Sequence, residues 1–195
     1  PRLPLSIDTT QAAVAEAALA AGASLINDTA AGLDDPGILA LAASRGTDVV
    51  LMHRQGTPAT MQLQPQYHDV VAEVQAFLQA RVSAALAAGV AAERIILDPG
   101  IGFGKPLTHN LALLTQLPRL VALGYPVLVG VSRKRLLTQL NAQAGGTPEQ
   151  LDAASAALAT LAMTAGAQII RVHNVALHVQ ARAIAWAWMQ PRGDR

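Results

Sequence analysis

The chain has 195 residues, of which 52% are hydrophobic and 14% charged, with a formal net charge of +1. This suits one globular domain with a substantial core and argues against disorder, and 3% aromatics with scattered basic residues exclude a base-stacking nucleic-acid surface. No apolar run has the roughly 18 residues of a membrane helix, no secretory leader is expected, and the absence of cysteine removes disulfides and thiolate metal sites and suits a cytoplasmic home.

Short apolar runs alternate along the chain with stretches rich in alanine and leucine. Leu3–Ile7 reads as a strand ending at Asp8, followed by a helix near 10–21 that closes at Gly22. Ser24–Ile26 ends at Asn27, and a helix over 35–45 starts at Asp35, has Pro36 in its first turn and closes at Gly46. Val49–Met52 ends at His53, and a helix over 67–88 closes at Gly89. Ile95–Leu97 ends at Asp98 and runs into the glycine-studded loop Pro99–Lys105; Thr108 then opens a helix over 108–123, closed by Gly124. Val127–Val131 ends at Ser132-Arg133-Lys134, and a helix over 148–165 closes at Gly166. Finally, Gln168–Val172 frames Arg171 and His173 ahead of a helix over 175–190.

Strands alternating with helices of this length predict a parallel sheet with right-handed crossovers and no internal domain boundary, so residues 1–195 form one domain. Six β/α units are visible, whereas a closed (β/α)8 barrel typically takes about 250 residues. The pattern leaves open either a six-stranded sheet or part of a barrel.

In parallel folds of either kind, ligands bind where the strands end. One polar pocket is therefore expected from Asp8, Asn27, His53, Asp98, Lys134, Arg171 and His173. Asp8 and Asp98 are acceptor-only when ionised and suit a heterocycle with several N–H donors; Asn27 adds a donor and an acceptor. Two carboxylates also suit a metal site or an acid/base couple, although no clustered histidine pattern accompanies them. Lys134, Arg171 and His173 offer cationic donors for a phosphate or diphosphate, and Arg171 and His173, two apart on a strand, face the same side. Gly100, Gly102 and Gly104 leave room for a flat ligand, with Phe103 as an apolar wall. Lys105 and Lys134 are the only lysines in a chain that otherwise uses arginine, and both follow strands. His53 alternatively serves loop geometry; His68, His109 and His178 fall on helices or their starts, and Trp186 and Trp188 on the last helix suit packing or an oligomer contact.

Taken together, SIDTT, INDTA, LMHRQGTPATMQ, LDPGIGFGKPLTHN, VGVSRKRLL and IIRVHNV resemble dihydropteroate synthase over essentially the whole chain. The resemblance implies a TIM (β/α)8 barrel, to which this chain contributes about six units (strands 3–8), the first two being absent. It implies a transferase of folate biosynthesis and target of sulfonamides, which condenses p-aminobenzoate with dihydropterin methyl diphosphate and releases diphosphate. It implies magnesium as cofactor, with the family's metal ligand outside this chain, a homodimer built from the last helices, and neither nucleic-acid nor membrane partners. By the same resemblance Asp8, Asn27, Met52, Asp98, Phe103 and Lys134 bind the pterin, and Asp8, Asp98 and Lys134 are catalytic. Ser132 and Lys134 contact p-aminobenzoate, while Arg171 and His173 hold diphosphate. Asn174 stands where the family usually has Asp, and Arg54 occupies a variable loop position; neither is expected to abolish binding. With part of the barrel absent, impaired turnover and poor stability of the isolated chain are expected. A non-catalytic pterin-binding paralogue or fragment and a pterin-dependent methyltransferase domain are the competing readings.

Overall fold

The computed structural model describes residues 3–56, 65–141 and 147–190. Residues 57–62, the second half of the LMHRQGTPATMQ motif, lie outside that set. The elements run β1 (Ser6–Asp8), α1 (Ala12–Ala20), β2 (Leu25–Asp28), α2 (Gly37–Arg45), β3 (Asp48–Met52), α3 (Val70–Ala87), β4 (Ile95–Asp98), α4 (Leu107–Thr115), α5 (Leu117–Val121), β5 (Leu128–Val129), α6 (Arg135–Leu140), α7 (Asp152–Thr164), β6 (Ile169–Ile170) and α8 (Val175–Met189).

Strands β1 to β4 pair in sequence order, all parallel, with Asp8 opposite Asn27 and Met52 opposite Asp98. β5 pairs with β6, and a bridge between Leu97 and Val127 joins the two sets, so the sheet continues from β4 into β5. The far ends also approach each other: the Arg171 guanidinium, just beyond β6, is 3.5 Å from the Asp8 carboxylate that ends β1.

Alternation along the strands builds two apolar layers. Ile26, Val49, Leu51, Ile95, Leu97, Val127 and Val129 pack outward against the helices in the main core. Val50, Ile96 and Leu128 form a separate inner cluster with Leu25 and Ile169 against it. Helix α3 is long and apolar enough to meet the composition of a membrane span. It packs Val71, Val74, Leu78 and Val82 into the core instead.

Several boundaries differ from the sequence expectation. The helix expected over 108–123 breaks at Gln116, and Pro118 sits in the first turn of the second piece, since it has no N–H to continue the first. The helix at Arg135–Leu140 was not foreseen. Gly46 caps α2 in left-handed conformation as expected, whereas Gly22, Gly89 and Gly166 stand one residue beyond the caps Ala21, Ala88 and Ala165. Asp35 does more than start a helix: its two oxygens accept from Gly37 N–H in the first turn of α2 and from Ala12 N–H at the start of α1.

Candidate functional site

Following the inner apolar layer toward the strand ends changes its chemistry. Two residues beyond Leu25, Val50, Ile96, Leu128 and Ile169, on the same face, stand Asn27, Met52, Asp98, Gly130 and Arg171. Met52, Asp98, Phe103, Gly130, Ser132, Lys134, Arg171, Val172 and His173 wall one cavity of about 160 Å³. Gly130 and Val172 were missed by sequence reasoning, which looked for polar groups; the alternation could have found Gly130.

Asp98 is buried, and its Oδ1 accepts from the Gly100 N–H at 2.7 Å. Burial pushes its carboxyl above the usual range, against the pull of Lys134, the Gly100 amide, Arg171 and Lys105. Burial pushes the Lys134 ammonium below its usual range, and Asp98 opposes that shift. Each charge is costly alone and supported by the other, an arrangement concentrated at functional sites. Lys134 donates to the Ile101 carbonyl, and its Nζ lies 4.8 Å from the Phe103 ring centroid. Phe103 is thus the expected wall, and a cation already sits over it.

Asp8 and Asn27 stand beside this cavity without walling it. Asn27 is fully buried; its Nδ2 donates to Asp8 Oδ2 at 3.0 Å, and its Oδ1 is buried without a hydrogen-bond partner. Asp8 is exposed and links the pair to Arg171. Arg171 and His173 lie beyond the last strand, which ends at Ile170, and so are not strand neighbours as expected. The Arg171 N–H still donates to the Val129 carbonyl, and both residues reach the cavity. The Ser132 hydroxyl accepts from the His173 backbone N–H at 3.2 Å and is 3.0 Å from His173 Nδ1.

The glycines of the loop answer first to neighbouring protein. A β-carbon on Gly100 would lie 1.8 Å from the His53 carbonyl oxygen, and one on Gly102 would lie 3.2 Å from Lys134 Cδ. Both glycines thus admit neighbouring protein closely, and Gly102 also walls a cavity. Lys105 is buried within the loop and donates to the carbonyls of His53, Gly100 and Phe103 at 3.3, 2.9 and 2.9 Å. Burial lowers its ammonium to about 7 despite Asp98. Asn110 completes the loop, accepting from Gly102 N–H and donating to the carbonyls of Lys105 and Pro106.

His53 does not join the pocket. It is buried behind it, edge-on to Phe77 at 4.8 Å, and burial with Lys105 nearby holds its imidazole at about 3. Arg54 is tied to Asp34 at 2.6 Å. His178 is buried on α8 and His109 faces Tyr67, neither lining the cavity. Among the described residues no three His, Asp or Glu side chains gather to hold a metal ion.

A second cavity of about 410 Å³ shares Phe103 and Lys134 with the first and is otherwise walled by residues including Pro65, Pro106, Leu107, Leu136 and Arg135. The cleft thus has two compartments separated by a stacked ring and ammonium. Both mix apolar and polar walls, and the smaller one carries Asp98, Arg171 and His173.

Residues 2–173 match the protein family described as pterin-binding enzymes. The dihydropteroate synthase of Neisseria meningitidis serogroup B is 48% identical over 177 residues, which cover 89% of this chain and 61% of that protein. The crystal structure of dihydropteroate synthase from Stenotrophomonas maltophilia with imidazole in its active site superposes with a TM-score of 0.92 at 46% identity, covering all of this chain and 72% of the other. That from Xanthomonas albilineans in complex with 7,8-dihydropteroate gives 0.87 at 47% identity, covering 97% and 68%. The chain therefore spans about three fifths of the length of the first of these relatives, and its parallel strands are part of a (β/α)8 barrel. On this match, with strand ends that gather an acid, an amide and cations around one cleft, the chain belongs to the pterin-binding enzyme family.

Proposed function

We propose that this chain is the pterin-binding and diphosphate-holding part of a dihydropteroate synthase, which joins p-aminobenzoate to dihydropterin methyl diphosphate in folate biosynthesis. The observation that carries the reading is the pairing, within one cavity, of buried Asp98 beside Lys134 with Arg171 and His173. A pterin ring presents several N–H donors, and Asp98 supplies a desolvated acceptor for them. Asn27 Oδ1, buried without a partner, would gain one from a ring N–H, and Asp8 stands beside it. Met52 and Phe103 cover the faces of the ring.

In the proposed reaction the C–O bond between the pterin methylene and diphosphate breaks, and its electron pair leaves with the diphosphate. The arylamine nitrogen then bonds to the methylene carbon and loses a proton. Arg171 and His173 take the growing negative charge of the leaving group, while the carboxylates of Asp8 and Asp98 favour the cationic pterin. Lys134 and Ser132 are the side chains proposed for p-aminobenzoate. The second cavity, sharing Phe103 and Lys134, gives an aryl ring a place beside the reacting carbon. The Xanthomonas albilineans relative bound to 7,8-dihydropteroate supports both substrates. Magnesium is the cation proposed to accompany the diphosphate, where it would add positive charge beside Arg171 and His173. A cytoplasmic location fits a chain without cysteine. A homodimer contact is proposed on the α7–α8 face, where Ile184, Trp186 and Trp188 are exposed.

Two measurements test this reading. Asp98→Asn is expected to weaken calorimetric binding of 6-hydroxymethylpterin by about tenfold or more, since a charge-assisted pair is lost; unchanged affinity would overturn the assignment. Steady-state diphosphate release then separates the readings, since a binding-only module releases none.

A further inference from the structure

The two arms of the cleft are the loop carrying Ser132 and Lys134 and the segment carrying Arg171 and His173, and they meet again behind it. Arg133 lies between Ser132 and Lys134 with φ +56°, a left-handed backbone that a side-chain-bearing residue rarely adopts. Its side chain points away from the cavity toward α7. Nε donates to Asp152 Oδ1 at 2.8 Å and Nη2 to Asp152 Oδ2 at 3.0 Å, a two-pronged grip. Its backbone N–H donates to Ser155 Oγ at 3.1 Å, and Ser155 in turn donates to the Leu151 carbonyl.

The same Asp152 oxygen also accepts from Asn174 Nδ2 at 2.9 Å. Asn174 follows His173, caps α8 through Leu177 N–H, and its carbonyl is 2.7 Å from His178 Nδ1. Asp152 is buried, with a side chain 10% exposed. One carboxylate therefore binds the residue before Lys134 and the residue after His173, while Ser132 and His173 touch directly on the cavity side.

We infer that Asp152 is a positioning residue: as shared acceptor for Arg133 and Asn174, it fixes the spacing between the ring-binding and the anion-binding arms. This rests on the proposed function above, because the spacing matters only to a ligand that spans both arms. Each arm keeps its own contacts when Asp152 is altered. What is lost is the registration between them, and with it the advantage of a joined ligand over its two pieces.

The experiment uses calorimetry on the chain, its Asp152→Asn variant and, as a second lesion on the other limb, Asn174→Ala. Three probes are titrated at fixed magnesium: 6-hydroxymethylpterin, inorganic diphosphate, and the dihydropterin methyl diphosphate that joins them. Both variants are expected to bind the joined ligand about tenfold or more weakly, with the separate pieces changed less than about threefold. Equal losses for all three probes would mean general loosening and overturn the inference, as would unchanged binding of the joined ligand. Should Asp152→Asn fail to fold, Asn174→Ala decides by the same criteria. If the unaltered chain binds neither the joined ligand nor the pterin, the proposed function itself falls.

Discussion

The Lys134 ammonium lies 4.8 Å above the Phe103 ring, so the wall between the two compartments is a cation on an aromatic face. Such contacts contribute about 0.5–2 kcal/mol, more when desolvated. Lys134→Met retains much of the stem and the apolar contact but removes the charge that answers Asp98. It is expected to cut affinity for 6-hydroxymethylpterin by about tenfold or more and to lower the thermal midpoint, because buried Asp98 loses the charge that answers it. Calorimetry and a thermal melt on the same preparation check both halves.

The glycine loop makes a paired prediction. Gly100→Ala would put a methyl group 1.8 Å from a main-chain oxygen at φ +66°, and backbone must move to relieve it. Gly22→Ala, at φ +110°, meets nothing within 4 Å and suffers conformational strain alone. The first is expected to destabilise by more than about 3 kcal/mol and the second by about 1 kcal/mol. Denaturant midpoints of the two variants would reveal the gap.

His53 predicts a pH slope. Its folded value, about 3, lies below the ordinary 6.5, so the unfolded chain binds more protons throughout the interval between them. This group's contribution to stability therefore rises with pH from about 3 to 6.5 and levels off above. Replacing it with Phe, which keeps a buried ring, should remove about 2 kcal/mol of the rise between pH 4.5 and 6.5. Urea unfolding of both chains across that range is the measurement; parallel curves would contradict it.

Arg171 and His173 separate leaving-group binding from ring binding. Arg171→Met and His173→Ala are each expected to weaken inorganic diphosphate by roughly tenfold while leaving 6-hydroxymethylpterin within about threefold, because neither residue contributes to the Asp98–Lys134 pair through a hydrogen bond. Titration of each variant with both compounds distinguishes this from a general collapse of the cleft.

The six β/α units and most of the residues at the strand ends were legible in the sequence, because buried parallel strands leave continuous apolar runs and polar residues interrupt them abruptly. Asp98, Lys134, Arg171 and His173 converge as their positions imply. What could not be read was mediated by contacts distant in sequence. Gly100 makes way for a carbonyl 47 positions earlier, and Lys105, one of the two lysines that follow strands, binds that same carbonyl. Asp152 had no motif around it; only its meeting with Arg133 and Asn174 gives it meaning. His53 ends a strand as the site residues do, but turns toward Phe77 instead of the cleft, a choice of orientation that no local spacing encodes.

The Lys105 ammonium grips His53, Gly100 and Phe103 solely by main-chain oxygens, so the shape of this loop is indifferent to what residue 103 carries. Exchanging the residue at 103 would therefore probe the wall shared by the two cavities without dismantling the frame that holds it.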